Sequence, residues 1–406
     1  MAKAVIVILH FNSDYAEIPQ TELPNVVSSS YEPTVRALER LDEGTVCMSL
    51  TGNTLDYLLA EAPELVRRIG DLVQAQRIEV VACGYSHPVL PLLPVRRIRD
   101  QIRAHIEQIR NVFGTSPIGF WPPELAISPA VLHELSQLGI RWTAVDYEHY
   151  LLANTIGNDF NPFEMRTRTT VETLVDAYWA KGLVAKIRAY RKTVVKLNRM
   201  MKTQHKGLAR VQVGEQTSIG ALLSSVSWSL GTLFALSDTT RAYSRRKHLS
   251  NVLHSGTDYV PLYCYDVEFW GYIRRTGIRC EPQAFVSLLE ELKDSGMDLI
   301  SPSQIPEKEW PTDTEFVGSG SWAPDKSLRI WTDSADNREL MRRMQEVYAF
   351  LERLEWDDKT VTNVERLLRI AENSDCHGWS PRVEKKHAAY CALLEAYEIL
   401  QGDGRR

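Results

Sequence analysis

Residues 4–10 read AVIVILH, six apolar residues in an unbroken run closed by a histidine. A strand with one solvated face alternates apolar and polar residues, whereas a run with no polar break marks a strand covered on both faces, as in a parallel sheet. The same form returns at TVCMSL (45–50), IEVVA (78–82), IGFW (118–121), IRWTAV (140–145), YVPLYC (259–264) and MDLIS (297–301). Between these runs, segments such as EPTVRALERL, APELVRRIGDLVQAQR and VRRIRDQIRAHIEQIRNVFG place apolar residues at i, i+3, i+4 and i+7, and several end in glycine. That spacing predicts amphipathic helices with glycine stops. Seven alternations of strand and helix predict an α/β chain, a (β/α)7 barrel of parallel strands covered by helices.

The bulk numbers narrow the class. The 406 residues are 44% hydrophobic and 24% charged, an ordinary globular balance, and a net charge of −5 carries no basic footprint for nucleic acid. Six cysteines stand far apart with no C-x-x-C pair, which predicts free thiols in a reducing compartment. The first apolar run is too short for a signal-peptide core, and the expected location is cytoplasmic.

The residues that close each strand carry the chemistry. His10 follows the first, Thr51 the second, His87 (in GYSHP) the third, Glu124 the fourth, Asp146 the fifth, Asp266 and Glu268 the sixth, Ser301 the seventh. In α/β barrels this C-terminal end of the strands holds the active site. Glu124 follows Trp121-Pro122-Pro123, and two residues without an amide donor end a ladder and stiffen the turn behind it. Glycosidic bonds are hydrolysed between two carboxyl groups, about 5–5.5 Å apart in the retaining geometry, with aromatic rings stacking on the sugar. Glu124 and Asp266 are placed for those roles, with His10 and His87 to bind hydroxyls or fix a carboxylate. Each residue also has a plain structural reading: a satisfied histidine, a helix-end acid, a loop charge, a core tryptophan. Their convergence at one end of seven strands favours the site. No H-x-x-x-H pair, zinc-spaced Cys/His set, phosphate loop or G-x-S-x-G elbow is present, so the chemistry expected is that of carboxylates rather than of a metal.

Residues 160–255 depart from the pattern. From Lys181 to Arg210 there are ten Lys or Arg and no Asp or Glu, and 216–237 then runs 22 residues without a charge. One reading is a helical insertion packed on the barrel or on another subunit, which would give a homo-oligomer. A second is contact of 181–237 with a membrane or polyanion, since an uncharged stretch near twenty residues between basic flanks is long enough to enter a bilayer; its many Ser and Gly weigh against that. A third is a lid or substrate arm. Beyond residue 334 the pattern is helical throughout. The expected division is a catalytic barrel over 1–333, containing the 160–255 insertion, and a helical bundle over 334–406 that completes the active site.

Five segments, in order, resemble the characteristic regions of glycoside hydrolase family 57: LHFNSD with His10, GYSHPVLPLLP with His87, GFWPPELAIS with Glu124, CYDVEFWGY with Asp266, and ENSDCHGWS with Asp375. VCMSLTGNTLDYLL and GSGSWAPDKSLRIWTD also look like family passages, so the resemblance spans nearly all of the chain outside 160–255. It implies a (β/α)7 barrel followed by a helical region, and a retaining mechanism on α-glycosidic bonds without a cofactor. The substrate implied is an α-linked oligo- or polysaccharide, commonly an α-glucan. Glu124 would be the nucleophile and Asp266 the acid/base, with His10, His87, Trp121, Glu268, Trp270, Asp375 and Trp379 around the sugar. The family's His-Gln-Pro is here His10-Phe11-Asn12, which directs attention to the pocket beside His10. The alternative function is a barrel that binds saccharide or an anionic surface through 160–255 without turnover.

Overall fold

The structure is a computed structural model that describes residues 2–156, 207–236, 241–272, 280–353, 355–378 and 381–403, with a few positions between 185 and 192. Most of the basic 181–210 stretch, and Trp379, lie outside the described residues.

All seven expected strands are present: β1 (Ala4–Phe11), β2 (Val46–Leu50), β3 (Ile78–Val80), β4 (Gly119–Phe120), β5 (Trp142–Asp146), β8 (Tyr259–Asp266) and β9 (Asp298–Leu299). Three more were not expected: β6 (Leu208–Gln212), β7 (Ser218–Ser224) and β10 (Thr314–Glu315). They form two five-stranded sheets, one in the order β3-β2-β1-β8 with β9 also on β1, the other in the order β10-β6-β7-β5-β4. Every pairing is parallel except the β6–β7 hairpin. The unbroken apolar run of β1 has the expected cause. Ala4, Ile6 and Ile8 belong to one buried cluster with Cys47, Val81 and Trp142, while Val5, Val7 and Leu9 belong to the other, with the helices.

The mostly parallel α/β build fits the expected barrel, but among the described residues the two sheets do not close into one. On one side the two sheets meet at a single parallel bridge, Ala82 to Phe120. On the other, β7 and β8 approach each other without a ladder among the described residues. Polar groups of β8 there are met by hydroxyls of helix Val226–Leu236: Thr232 Oγ1 donates to the Leu262 carbonyl at 2.8 Å, and Ser229 Oγ accepts from the Cys264 amide at 3.1 Å. Satisfied by side chains, those groups need no strand partner.

MDLIS supplies the short β9, which pairs with Ala4 and Val5, below the point where the β1–β2 register begins at Ile8. Between β5 and β8 stands a strand the sequence reading did not foresee, β7, from the uncharged stretch 216–237. That stretch is therefore a buried strand followed by a helix rather than a wholly helical insertion, and no helix among the described residues is long and apolar enough to cross a membrane. All six cysteines are free, and only Cys391 is exposed.

Beyond the sheets, helices α1 (Ala335–Arg353), α2 (Asp358–Glu372) and α3 (Val383–Asp403) pack around Leu340, Met344, Leu367, Leu368 and Leu393. Buried Glu372 at the end of α2 accepts from Arg97 at 2.8 and 3.1 Å and from Tyr348 at 3.0 Å. One residue on, Asn373 bridges Pro88, and the Ser374 amide donates to the His87 carbonyl at 3.0 Å. The helices are thereby fastened to the strand-end face.

Candidate active site

Register brings the first residues together. On β1, His10 lies opposite Ser49 of β2 on one side and opposite Asp266, the last residue of β8, on the other. Its ring stacks on His87 (centroids 5.0 Å apart) and on Trp121 (5.6 Å).

Glu124 is presented by a turn that ordinary residues avoid. The Trp121 amide makes the last bond toward β3, to the Ala82 carbonyl at 2.7 Å, and the two prolines then end the ladder. Glu124 (φ 58°) and Leu125 (φ 44°) both take the left-handed conformation, which costs a non-glycine residue roughly 1–2 kcal/mol. A distant segment holds the turn: the Trp322 amide donates to the Glu124 carbonyl at 3.2 Å, and Ile127 and Gly320 exchange two backbone bonds of 3.0 and 3.1 Å. The Glu124 carboxylate then accepts from Trp322 Nε1 at 2.7 Å and from Ser374 Oγ at 2.8 Å.

His87, also left-handed at φ 56°, places Nδ1 3.3 Å from Asp375 Oδ2 and 4.0 Å from Glu124 Oε1. Asp375 further accepts from Asn12 Nδ2 and from the Ala16 amide, both at 2.8 Å. Asn12 Oδ1 takes the Asp14 amide at 3.1 Å, so this side chain, third in His10-Phe11-Asn12, is engaged at both ends. Glu268, fully buried, accepts from the Asn12 amide at 2.8 Å and from the Tyr31 hydroxyl. It braces the β1 end from behind and does not line the cleft.

His10, His87, Trp121, Glu124, Asp266 and Asp375 line one cleft, joined by Asn12, Tyr265, Ser224 and Trp322. Trp270 departs from the sequence reading. Its ring is buried against Phe285 (4.4 Å) and Tyr263 (4.9 Å), because the short turn after Asp266 carries the chain back into the core. Residues missed from the sequence are Trp322 and Ser374, the two donors to Glu124. Their separation from it, 198 and 250 positions, left no local signal.

The electrostatics differ across the cleft. Burial lowers the His10 pKa well below 6.5, and the neighbouring His87 charge adds to this, so the ring is neutral. Burial also opposes charge on His87, but the Asp375 hydrogen bond and charge, with Glu124 and Asp266 beyond, raise it to about 9. For Asp375, burial is outweighed by the same histidine, Lys385 and Asn12, and the carboxyl stays below its usual value. Glu124 is raised by burial, against the pull of His87, the Trp322 indole and Ser374. Asp266 is raised well above 3.8, by burial first and then by Glu268 and Glu124. Glu268 is pushed up to about 7 by burial. Both carboxyls are thus raised by burial, Glu124 against the pull of its donors and Asp266 with further carboxylates adding to the rise. Donor atoms of His87, Glu124 and Asp375 lie within 4.8 Å of one another, close enough for a metal ion. At neutral pH the His87 proton already supplies a positive charge there.

Comparison with known proteins gives a consistent picture. A model of glycosyl hydrolase family 57 matches residues 1–317. A 4-alpha-glucanotransferase of Thermococcus litoralis is 22% identical over 66% of this chain and 41% of its own length. The chain spans well under half the length of the curated relatives it matches, between 18% and 41% of each. Among solved structures, the Thermococcus litoralis 4-alpha-glucanotransferase superposes with a TM-score of 0.68 at 13% identity, covering 97% of this chain and 58% of that one. A GH57-type branching enzyme from Pyrococcus horikoshii superposes at 0.64 and 13%, covering 99% and 87%.

Proposed function

This chain belongs to glycosyl hydrolase family 57, and from that premise we propose that it is a retaining hydrolase or transglycosylase of α-linked glucans or related saccharides. The observation that carries the reading is the pair of strand-end carboxyl groups in one cleft, one held by an indole and a hydroxyl donor, the other beside further carboxylates. In this reading Glu124 attacks the anomeric carbon as a carboxylate, while Asp266 gives its proton to the departing glycosidic oxygen. A covalent glycosyl-enzyme results. Asp266, now ionised, then takes a proton from water or from an acceptor sugar hydroxyl as that oxygen attacks the same carbon and Glu124 leaves. The indole and hydroxyl on Glu124 hold its oxygens in place through both steps.

Trp121 offers the ring for stacking, and the buried Nε2 of His10, which has no protein partner among the described residues, suits a sugar hydroxyl. The helices beyond residue 334 complete the site by bringing Ser374 and Asp375 to it. Incubation with maltooligosaccharides and amylose tests the proposal. Shorter products alone mean hydrolysis, and a ladder of longer and shorter sugars means transfer. Glu124→Gln should bind saccharide and yield neither; products from the variant at the wild-type rate would overturn the assignment.

A further inference from the structure

Across the strand-end face from Asp375, and lying past the residues matched to the family, the segment GSGSWAPDKS (318–327) makes a tight turn. The Lys326 amide donates to the Ala323 carbonyl at 2.8 Å, and the Ser321 amide to the Lys326 carbonyl at 3.3 Å. Lys326 has φ 60°, a conformation that costs a lysine energy unless its surroundings impose it. Its side chain is fully buried, and so is that of Asp146, the last residue of β5. The ammonium lies 3.0 and 3.1 Å from the two Asp146 oxygens and donates to the Trp322 carbonyl at 3.2 Å. A buried lysine with no solvent is uncommon unless paired, and here the pairing links the end of one strand to the turn that faces another.

The connections run in one line. Asp146 holds Lys326; Lys326 holds the carbonyl of Trp322; the amide and indole of Trp322 hold the carbonyl and carboxylate of Glu124. Asp146 has a second anchor, the His149 amide at 2.7 Å, so the pin is fixed at its far end to the start of the following helix. Glu148, beside it, is occupied by the Ser225 hydroxyl at 2.6 Å and leaves the ammonium to Asp146.

We infer that Lys326, clasped by Asp146, is a positioning residue that sets the orientation of the Glu124 carboxylate through Trp322. It touches neither sugar nor reacting atom. The inference rests on the reading of Glu124 as nucleophile, and its test has one arm that needs no turnover. Lys326→Met should lower kcat by on the order of 10²-fold with KM little changed, the result of a nucleophile displaced by a fraction of its reach. Trp322→Phe, which deletes the indole donor, should do the same, and the two together should be no worse than the more severe alone, because they break one path. Additive losses would overturn the inference.

The neutral pair Asp146→Asn with Lys326→Met removes both buried charges and should recover thermal stability without recovering kcat; recovery of both would assign the pair to stability alone. Independently, the indole N–H resonance of Trp322, identified by its loss in Trp322→Phe, should move upfield in Lys326→Met. A resonance that stays in place would overturn the inference even for an enzyme with no turnover. Absence of turnover in the wild type, with the resonance shifted, would instead overturn the proposed reaction and leave the pin intact.

Discussion

Glu124 and Asp266 are both carboxyl groups at the ends of strands, and both line the same cleft half-buried, yet their neighbourhoods differ. Around Glu124 the protein gathers donors: an indole, a hydroxyl and the His87 cation 4.0 Å away. Around Asp266 it gathers other carboxylates, Glu268 and Glu124, which outweigh the His87 charge there, and among the described residues no side chain donates to it. A carboxylate surrounded by donors is stabilised as the anion, and one surrounded by anions keeps its proton. In the proposed reaction, the difference between nucleophile and acid therefore lies in what distant segments bring to each strand end.

The contrast predicts that the two residues fail differently. Glu124→Gln should cost roughly 10⁴-fold or more in kcat on every substrate, because the covalent step has no other nucleophile. Asp266→Asn should cost about 10²–10⁴-fold on a natural glucan, where the leaving oxygen needs a proton. On a nitrophenyl glycoside, whose leaving group departs unprotonated, the first step of Asp266→Asn should return toward the wild-type rate, seen as a burst of nitrophenol. Equal losses on both substrates would remove the distinction between the two carboxyls.

Half of this contrast was legible in the sequence. The acids themselves are marked by position: Glu124 by the prolines that end its strand, Asp266 by the apolar run it closes, His10 and His87 by the same rule. What surrounds them was not. Trp322, Ser374 and Lys326 come from segments whose local pattern is a polar turn, and only the tertiary fold turns the first two toward Glu124 and the third toward Asp146. Trp270 shows the converse error. A tryptophan four residues after the acid looks like a stacking ring, but the turn between them faces it into the core against Phe285. The fold divides likewise. Unbroken β-branched runs announced most of the strands, whereas β7, written SIGALLS, is built of small residues; a side chain at Gly220 would lie 2.6 Å from the ring of Trp310. Its sequence carries little strand propensity, and its burial between neighbours decides its form.

The donors on the Glu124 side also make a stability prediction. His87 titrates near 9 in the folded chain and near 6.5 when unfolded. A raised folded pKa contributes stability that is fully present below about 6.5 and is lost as pH rises through about 9, on the order of 3 kcal/mol across that window. The buried histidines 10, 105, 149, 248 and 377 are held below 6.5 in the folded chain, and their unfolded titration near 6.5 is common to wild type and variant, so it drops out of the comparison between them. Thermal midpoints measured from pH 6.5 to 9.5 should therefore fall more steeply for the wild type than for His87→Gln. Parallel slopes would mean that His87 is neutral, and that Glu124 lacks the cation its side of the comparison depends on.

The smallest effect expected is that of metal removal, and it sharpens the same comparison. His87, Glu124 and Asp375 could ligate an ion, and among the described residues no such group includes Asp266. A metal at the first group would have to displace the His87 proton, since a protonated imidazole has no lone pair on that nitrogen to give. Below the His87 titration, proton and metal compete for one position and the proton is favoured by Asp375. EDTA should accordingly leave kcat/KM unchanged at neutral pH, and added Zn²⁺ should inhibit more strongly as pH approaches 9, where His87 gives up its proton while both flanking carboxylates remain to bind the ion. A loss of activity in EDTA that Zn²⁺ restores would place a cation where the comparison places a proton, and the charge holding Glu124 as an anion would then belong to the metal.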